Sequence, residues 1–503
     1  MFKKILVANR GEIAIRVMKA CRLMGIHTIA IYSDADEHSL HLQYADEAVR
    51  IGFPDPLSSY LNIEAIIKAA KERGAEAIHP GYGFLAENSH FSRRCFDESL
   101  IFIGPPCDAV ALMGDKVTAR KMMSKQGIPI IPGMTSAGND PKSLERFASQ
   151  IGYPVIIKAS AGGGGKGMRI ISRESDLLGS AQAAAREAEK AFGDGRIYLE
   201  KFLERPRHIE FQILVDHHGN AIHLFERECS IQRRYQKIVE ETPSPALTPE
   251  LRKEMGATAI KIALTAGYRN AGTVEFLLDQ NQRFYFLEMN TRVQVEHPIT
   301  EMTTGVDIVC EQLRIASGEK LTLSQEKLFQ RGHSIECRIY AEDPENNFLP
   351  SPGKILVLRE PVGPGIRVDS GIYQGFEVPV HYDPILSKLI VFAENRAMAL
   401  KKMRVTLSEY KILGIKNNIA FLTEIIGHPE FEAGNTHTKF IEEHLGSWKR
   451  ESKKYCDIAL IAAALMESER NGRIPFGQMA EGTRMRPSPW QTVGYWRVGE
   501  SGR

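Results

Sequence analysis

Glu288–Pro298, with the sequence EMNTRVQVEHP, follows the apolar run Phe284–Leu287 and carries polar side chains at alternate positions. An apolar run of this kind predicts a strand, and the two-residue period of a strand places alternate side chains on one face. The residues predicted to share a face are Glu288, Asn290, Arg292 and Gln294. Oxygen ligands and a cation beside a carboxylate would then lie on one short segment, which is typical of an active-site strand.

A second acidic strand residue lies upstream of this segment. Glu275 stands in the apolar run Thr273–Leu277, and Asp279–Asn281 between the two runs predicts a hairpin turn. Carboxylate and amide oxygens suit Mg²⁺, which keeps its remaining positions for water and substrate phosphates. We therefore predict a magnesium–nucleotide site. The alternative is that these polar residues only form the solvated face of an antiparallel strand, and a glycine-rich segment upstream favours the site.

The composition is that of an ordinary globular protein. The 503 residues predict roughly three domains, and 43% of them are hydrophobic and 25% charged. A net charge of +2 is too balanced to indicate nucleic acid or an anionic membrane as a partner. No apolar run approaches the roughly 18 residues that cross a bilayer, and Met1–Val7 leads into a strand instead of a signal-peptide core. We expect a cytoplasmic protein.

The cysteines are scattered along the chain. There are seven, with no C-x-x-C pair: Cys21, Cys95, Cys107, Cys229, Cys310, Cys337 and Cys456. Neither a disulfide framework nor a zinc site is indicated, so reduced thiols are expected.

The first hundred residues alternate between strand and helix patterns, which predicts a parallel sheet flanked by helices. The predicted elements are strands at 4–8, 28–32 and 75–78 and helices at 12–23 and 63–71. The first turn lacks the three-glycine dinucleotide fingerprint, so the Rossmann-like pattern does not indicate NAD. Asn9 or a nearby residue is expected to cap the first helix. In the turn His79–Phe84, Tyr82 could stack on a flat ligand, although proline and glycine alone also explain the turn.

The rest of the chain divides by pattern. A helical pattern runs from Asp108 to Gln126, and a domain boundary is expected between Ala109 and Pro132. A second α/β unit and further strands follow to about residue 308, and residues 332–445 are mostly short strands closed by helices. The residues after Met466 are rich in Gly, Pro and Arg and are expected to form a flexible tail.

Gly162–Gly165 is a run of four glycines between two strand-like segments. Such a run costs backbone entropy, so a function is expected. Its amides can wrap phosphate oxygens, while Lys158 and Lys166 add positive charge. The segment fits neither the dinucleotide fingerprint, since no helix pattern follows, nor the P-loop, since Gly167 replaces the required Ser or Thr. We predict a mobile glycine flap, carried on a hairpin, over a triphosphate, in preference to a structural loop.

Three more segments fit a nucleotide cleft. Ile197–Leu203 predicts a strand that runs into a linker, whose backbone and Glu200 could recognise a purine edge. Arg205–Glu210 and Gln232–Lys237 supply dense hydrogen-bond donors. Taken singly, each has an ordinary explanation: an amphipathic edge strand for the first, and a solvated charged face for the other two.

Five segments, in family order, resemble motifs of the biotin carboxylase family, the ATP-grasp component of biotin-dependent carboxylases. They are Ala8–Glu12, His79–Gly83, Gly162–Lys166, Gln232–Arg234 and Glu288–Pro298. The resemblance runs from Ile5 to about His444. It implies mixed α/β and α+β architecture, with an ATP-grasp fold between an N-terminal Rossmann-like (pre-ATP-grasp) domain and a C-terminal biotin carboxylase domain. The implied boundaries are 1–113, 114–318 with a glycine-loop lid at about 132–203, 332–445, and a tail over 467–503.

The resemblance also implies a function, the ATP-dependent carboxylation of biotin by bicarbonate through carboxyphosphate. This is the first half-reaction of a biotin-dependent carboxylase, and its ligands would be ATP, Mg²⁺ or Mn²⁺, and biotin. The sequence has no Ala-Met-Lys-Met-like biotinylation motif and no carboxyltransferase-sized segment. The expected partners are therefore a separate biotin carboxyl carrier protein, which would hold the biotin, and a carboxyltransferase subunit. A homodimer is common in the family.

The functional residues of the family carry over to matching positions. The implied ATP contacts are Lys116, Lys158, Gly163, Gly164, Gly165, Lys166, Glu200, Lys201, Leu203, His208, Gln232, Tyr235, Glu275, Leu277 and Glu288. The implied metal ligands are Glu275, Glu288 and Asn290, and the implied bicarbonate contacts are Arg292, Gln294 and Val295. The catalytic residues would be Arg292, Glu296, Arg338 and Lys237, with Tyr82 and Arg338 serving biotin. Tyr235 departs from the family, in which histidine is common at this position, yet a phenol can also hydrogen-bond a ribose.

The residue types suit the implied chemistry. Bicarbonate is a poor electrophile, so phosphoryl transfer from ATP must activate it, and catalysis then consists mainly of positioning and charge stabilisation. Glu296 would deprotonate bicarbonate, Arg292 would orient it, and Arg338 would stabilise the enolate-like oxygen of biotin. Two alternatives are another ATP-grasp ligase of carbamoyl-phosphate type and a catalytically silent nucleotide-binding subunit. Tyr82 and Arg338 argue against the first, and the intact acidic and basic residues argue against the second.

Overall fold

The chain forms two units in its computed structural model, residues 1–449 and residues 450–503. The structure describes residues 1–134, 136–160, 168–449 and 456–471. Within these ranges, no helix is both long enough and apolar enough to cross a membrane. The six cysteines whose side chains are described are all free thiols.

A parallel sheet forms the N-terminal part of the first unit, as the alternating pattern predicts. Its strands are β1 (Lys4–Val7), β2 (His27–Ser33), β3 (Glu47–Gly52), β4 (Ala77–His79) and β5 (Ile101–Phe102). The helices between them are α1 (Gly11–Leu23), α2 (Ile63–Glu72) and α3 (Ser89–Asp97). The strand order is β3-β2-β1-β4-β5, and every pair is parallel. The apolar pattern did not reveal β3 because it is an edge strand with one buried residue.

Asn9 has a different role from the predicted helix cap. The N-cap of α1 is Arg10, which makes no side-chain capping bond. Asn9 instead donates from Nδ2 to the carbonyls of Pro80 and Tyr82, each at 2.7 Å. Gly81 is needed beside it, because its φ is +64° and a Cβ there would lie 2.9 Å from the Asn9 amide. Asn9 therefore ties the first turn of the sheet to the turn after β4.

Two helices occupy the predicted helical stretch after the sheet, α4 (Cys107–Gly114) and α5 (Lys116–Lys125). They are separate because Asp115 is extended and its carboxylate accepts a hydrogen bond from the Thr118 amide at 2.9 Å, which caps α5. The cap fixes Lys116 at the first position of α5.

A small layer follows, made of α6 (Pro141–Ile151), β6 (Val155–Ala159), β7 (Arg169–Ile171), α7 (Leu177–Phe192) and β8 (Ile197–Lys201). Its antiparallel sheet has the order β7-β6-β8. The strands that flank the glycine run thus pair as a hairpin, as predicted. The glycine run itself, with Gly163, Gly164, Gly165 and Lys166, lies outside the described residues.

Antiparallel strands dominate the rest of the first unit. They are β9 (Arg207–Val215), β10 (Ala221–Arg233), β11 (Gln236–Thr242), β12 (Asn270–Leu278), β13 (Phe284–Asn290), β14 (His333–Tyr340), β15 (Glu342–Asp343), β16 (Leu349–Pro350), β17 (Gly353–Lys354), β18 (Val357–Arg359), β19 (Ile366–Ser370), β20 (Glu377–Val378), β21 (Ile385–Ala393) and β22 (Lys411–Leu413). The helices are α8 (Pro249–Thr265), α9 (His297–Thr304), α10 (Ile308–Ala316), α11 (Arg396–Glu409), α12 (Ile419–Gly427), α13 (Pro429–Glu432) and α14 (Phe440–Leu445).

One eight-stranded sheet connects the two sequence regions that the resemblance assigns to separate domains. Its order is β13-β12-β9-β10-β11-β14-β21-β19. The pairing of β11 with β14 joins the strands before residue 318 to those after residue 332. Side chains from both regions therefore share one face of a single sheet. The domain boundaries drawn from the sequence stay a prediction.

The second unit contains one described helix, α15 (Cys456–Asn471). Its last residues, 467–471, are the first residues of the segment predicted as a flexible tail, so that segment begins as helix. Residues 472–503 lie outside the described residues.

Candidate active site

The hairpin β12–β13 holds the acidic pair that the sequence predicts. Glu275 and Glu288 are directly opposite each other in the antiparallel register, so their side chains share one face. Asn290 ends β13 and donates from Nδ2 to Glu275 Oε1 at 2.7 Å. The three predicted metal ligands are thus brought together.

The predicted strand face is wrong beyond Asn290. The strand ends there, and Arg292 and Gln294 lie in the following loop. The physical reason is that the next amide, that of Thr291, donates to the Glu87 carboxylate at 3.0 Å instead of pairing with a strand.

The loop nevertheless returns both side chains to the acidic pair. Arg292 donates from Nη1 to Gln294 Oε1 at 3.0 Å, and Gln294 donates from Nε2 to Glu275 Oε1 at 3.2 Å. Glu87, which the sequence analysis missed, accepts from Arg292 Nε at 2.9 Å. Glu87 follows the turn that contains Tyr82, but no motif marked it. The N-terminal part of the chain thereby fixes the Arg292 guanidinium.

Lys237 is the centre of the site. Its ammonium donates to three carboxylates, to Glu275 at 2.7 Å, to Glu296 at 2.8 Å and to Glu210. Burial lowers the pKa of Lys237, but these carboxylates outweigh burial and raise it well above its usual value. Lys237 is therefore a permanent cation that joins the acidic pair to the predicted base.

Glu210 was not predicted, although the period of β9 offered a signal. It lies two residues after His208 on the same strand face. It is fully buried and accepts from Arg227 Nε at 2.5 Å. His208 Nε2 lies 3.2 Å from Glu275 Oε2, and His208, Glu210 and Glu275 bring their ligand atoms within 4.8 Å of one another. A cation bound near Glu275 would therefore have additional ligand atoms from His208 and Glu210, besides the predicted metal ligands.

Glu296 is fully buried between two cations. Its Oε1 accepts from Lys237 and its Oε2 from Arg338 Nη2 at 3.0 Å. Burial raises the pKa of Glu296, but Lys237, Arg338 and Arg227 outweigh burial and hold it well below its usual value. Glu296 is therefore ionised at neutral pH, which a proton acceptor requires. Glu240, also missed by the sequence analysis, binds the other side of Arg338, at 2.6 Å from Nε.

Tyr82 is held at its hydroxyl, which donates to Glu12. Lys388, fully buried, lies 3.2 Å from the second Glu12 oxygen and donates to the Val295 carbonyl at 2.8 Å. The Val295 carbonyl is thereby engaged, so a bicarbonate contact falls to its amide. The stacking of Tyr82 on a ligand stays a prediction.

The predicted phosphate-binding lysines are paired with acids of the same cleft. Lys116 Nζ lies 2.9 Å from Glu288, and Lys158 Nζ lies 2.5 Å from Glu200. Arg120 also binds Glu200 and was missed, because a single arginine in a helix carries no motif. Burial raises the pKa of Glu200, but Lys158 and Arg120 outweigh burial and lower it. Glu200 therefore stays ionised at the cleft.

Lys201 faces elsewhere. Its ammonium donates to the carbonyls of Gly152 and Tyr153 at 3.0 and 3.1 Å. The Lys201 amide donates to the Pro132 carbonyl at 2.7 Å. The nucleotide contacts of Lys201 and of Leu203, which lies in the linker after β8, stay predictions. Leu277 is half-buried on β12, opposite His208.

Strand β10 and the turn that follows it carry the last two predicted ATP contacts. Gln232 pairs with Lys237 in the register and donates to the Cys229 carbonyl at 2.8 Å. Tyr235 lies in the turn with a φ of +66° and an exposed ring. A positive φ is uncommon for an aromatic residue, and the ATP contact of Tyr235 stays a prediction.

The donor set fits Mg²⁺. Glu275, Glu288 and Asn290 supply only oxygen atoms on neighbouring strands, and Mg²⁺ takes such ligands together with phosphate oxygens. Lys116 contacts the Glu288 carboxylate and Lys237 contacts the Glu275 carboxylate. These two ammonium groups therefore already neutralise part of the negative charge that a bound metal would neutralise.

Family comparisons cover almost all of the first unit. Residues 1–110 match the biotin carboxylase N-terminal domain, residues 115–324 the ATP-binding domain of the carbamoyl-phosphate synthase L chain, and residues 336–443 the biotin carboxylase C-terminal domain.

Curated relatives match over a similar length. A pyruvate carboxylase subunit of Methanothermobacter thermautotrophicus is 55% identical, over 90% of this chain and 92% of that protein. Biotin carboxylase of a Nostoc species is 53% identical, over 88% of this chain and 99% of that protein.

Solved structures show the same fold. The biotin carboxylase domain dimer of Hydrogenobacter thermophilus 2-oxoglutarate carboxylase, in complex with MgADP and bicarbonate, has a TM-score of 0.88 and 50% identity, over 90% of this chain and 100% of that chain. Campylobacter jejuni biotin carboxylase with a β,γ-ATP ligand has a TM-score of 0.86 and 47% identity, over 88% of this chain and 99% of that chain.

Proposed function

Since the chain belongs to the biotin carboxylase family, we propose that it carboxylates biotin held on a separate carrier protein, and that the network around Lys237 and Glu296 performs the chemistry. ATP-dependent carboxylation of biotin is the activity of the chain. The assignment of each step to a residue, and the carrier, are the proposed parts.

Bicarbonate binds between Arg292 and Glu296 in this proposal. Glu87 and Gln294 hold the Arg292 guanidinium in one orientation, which lowers the entropy cost of orienting the anion. A bicarbonate oxygen attacks the terminal phosphorus of ATP, and the bond from that phosphorus to ADP breaks. Glu296 accepts the proton of bicarbonate, so the products are carboxyphosphate and ADP.

Biotin binds at Arg338. Carboxyphosphate breaks at its carbon–oxygen bond into CO2 and phosphate, the phosphate takes the N1′ proton of biotin, and N1′ bonds to the carbon of CO2. The ureido oxygen gains negative charge as the proton leaves, and a guanidinium fixed nearby stabilises that charge. Arg338 is suited to this because Glu240 and Glu296 hold it on two sides. Tyr82, fixed by Glu12, would form a wall of the same pocket.

ATP binds along Lys116, Lys158 and the acidic hairpin. Lys116 and Lys158 would move from Glu288 and Glu200 to the phosphates, because a triphosphate offers them more negative charge. Glu275, Glu288 and Asn290 would hold Mg²⁺, which supplies charge neutralisation for the phosphates when it is bound.

The observation that carries the proposal is one continuous hydrogen-bond network. It runs from Arg292 through Gln294 and Glu275 to Lys237, and from Lys237 through Glu296 to Arg338. The bicarbonate end and the biotin end are therefore parts of one site, as a transfer between the two substrates requires.

Partners follow from the same chemistry. Relatives include components of multisubunit carboxylases, and a solved neighbour is a dimer. We propose two partners, a biotin carboxyl carrier protein and a carboxyltransferase, together with a homodimer for the assembly and a cytoplasmic location. Copurification with the products of co-expressed carrier and transferase genes would test the partners.

The activity is tested by measuring ATP hydrolysis by the wild-type protein. We expect ATP hydrolysis that depends on bicarbonate and rises at least about fivefold when free biotin is added, because biotin consumes carboxyphosphate. A rate of ATP hydrolysis that biotin does not change would favour a carbamoyl-phosphate-type ligase. Nucleotide binding without hydrolysis would favour a catalytically silent protein, and either result rejects the proposal.

A further inference from the structure

Two buried carboxyl groups that the sequence did not predict as site residues lie beside Arg338. Glu240 on β11 and Glu336 on β14 are directly opposite each other in the antiparallel register, and both are fully buried. Side chains in such pairs lie side by side, with Cβ atoms about 4.5–5.5 Å apart. Arg338, two residues after Glu336 on β14, shares their face.

The two carboxyl groups have different surroundings. Arg338 donates from Nε to Glu240 Oε1 at 2.6 Å, and its Nη2 is also 2.6 Å from that oxygen. Neither oxygen of Glu336 has a hydrogen-bond partner among the described residues. An unpaired buried carboxylate costs several kcal/mol, roughly as much as a broken ion pair. Glu240 is therefore the ionised member of the pair and Glu336 the protonated one.

The titration behaviour of the pair agrees with its geometry. Burial raises the pKa of Glu240 to about 7, although Arg338 and Lys237 act to lower it. Burial also raises the pKa of Glu336 well above its usual value, with Lys388 and Arg338 opposing, and Glu240 and Glu296 adding to the rise. Of the two carboxyl groups, Glu240 has the direct contact with a cation, and Glu336 is the one whose surroundings favour the protonated form.

We propose that Glu240 is a positioning residue that fixes the Arg338 guanidinium against Glu296 for contact with biotin, while Glu336 is an uncharged neighbour. With Nε on Glu240 and Nη2 on Glu296, the guanidinium plane is set by two points and Nη1 is left for the ureido oxygen. If Glu336 were also ionised, it would add negative charge beside the guanidinium and weaken the attraction of Arg338 for the ureido oxygen. The inference rests on the proposed role of Arg338 toward biotin.

The test compares two glutamine variants of one register pair at pH 8. Glutamine has nearly the shape of a protonated acid, so E336Q keeps the charge state of the site, whereas E240Q removes a negative charge. E240Q is expected to lower biotin-saturated turnover at least about tenfold and to raise the KM for biotin, the scale of losing a charge-assisted contact. Its KM for MgATP should stay within about twofold. E336Q should stay within about threefold on every measure.

The controls separate positioning from folding. Thermal unfolding is measured for both variants, and E240D, which keeps the charge on a shorter side chain, should recover part of the biotin KM. Wild-type kinetics in E240Q, an equal loss in E336Q, or a loss of MgATP affinity equal to that of biotin would overturn the inference. A wild-type protein that biotin does not stimulate would instead overturn the proposed function, so the two failures are distinguishable.

Discussion

Glu296→Ala is expected to lower biotin-dependent turnover at least about a hundredfold, the range associated with a positioned general base. The carboxylate lies 2.8 Å from Lys237 and 3.0 Å from Arg338, and these cations keep it ionised against the effect of burial. Without it, none of the residues that the structure describes offers an ionised carboxylate with the same two contacts to take the bicarbonate proton. The measurement is the initial rate of biotin-stimulated ATP hydrolysis at saturating bicarbonate, with MgATP binding measured separately.

Glu311→Ala is the matched control for this prediction. Glu311 is also a buried glutamate paired with an arginine, Arg314, but it lies on α10 outside the network. Its turnover should stay within about threefold of wild type, the range of ordinary substitutions away from the site. Glu296→Ala with a rate near that of the control would reject Glu296 as the base.

Lys237→Met is expected to remove activity and to destabilise the native state by about 3–5 kcal/mol, the cost of leaving buried charges without their partner. Lys237 serves three carboxylates at once, so its loss leaves excess negative charge where the phosphates and bicarbonate must bind. Urea unfolding at pH 7 measures the stability. Lys261→Met is the control, because Lys261 is exposed and makes one bond to the Gln126 carbonyl.

The pH dependence of this loss has a defined sign. Burial raises the pKa of Glu296, but Lys237 and the arginines lower it below the unfolded value of 4.5. A carboxylate with a lowered folded pKa stabilises the native state above its unfolded pKa, and that contribution is lost as the pH falls through the folded pKa. The stability difference between wild type and Lys237→Met should therefore be largest near pH 7 and shrink below pH 4.5. A difference that grows on acidification would contradict the assigned role.

The sequence predicted the parts of the site that lie on one hairpin or in one family motif. Glu275 and Glu288 could be paired because an apolar period of two and a short turn determine a hairpin register. Glu296 and Arg338 came from the resemblance alone. Local periodicity misplaced Arg292 and Gln294, since the Thr291 amide pairs with a distant carboxylate, Glu87, that no local pattern reveals.

Two of the missed residues belong to strands that meet only in the folded sheet. Glu210 and Glu240 lie on β9 and β11, and the sheet order brings them beside Lys237 and Arg338. A sequence pattern can show that polar and apolar residues alternate along such a strand. It does not show which strand lies next to it in the sheet. The pairing of β11 with β14 in particular joins two regions that the sequence analysis treated as separate domains.

The most direct test of the shared site is transfer of label from bicarbonate to free biotin in the presence of MgATP. The wild-type protein should form labelled carboxybiotin, and Arg338→Ala should form at least about a hundredfold less, while its biotin-independent ATP hydrolysis persists. The account would be contradicted if a folded Arg338→Ala protein transferred label as fast as the wild type. It would also be contradicted if the wild type hydrolysed ATP but transferred no label to biotin.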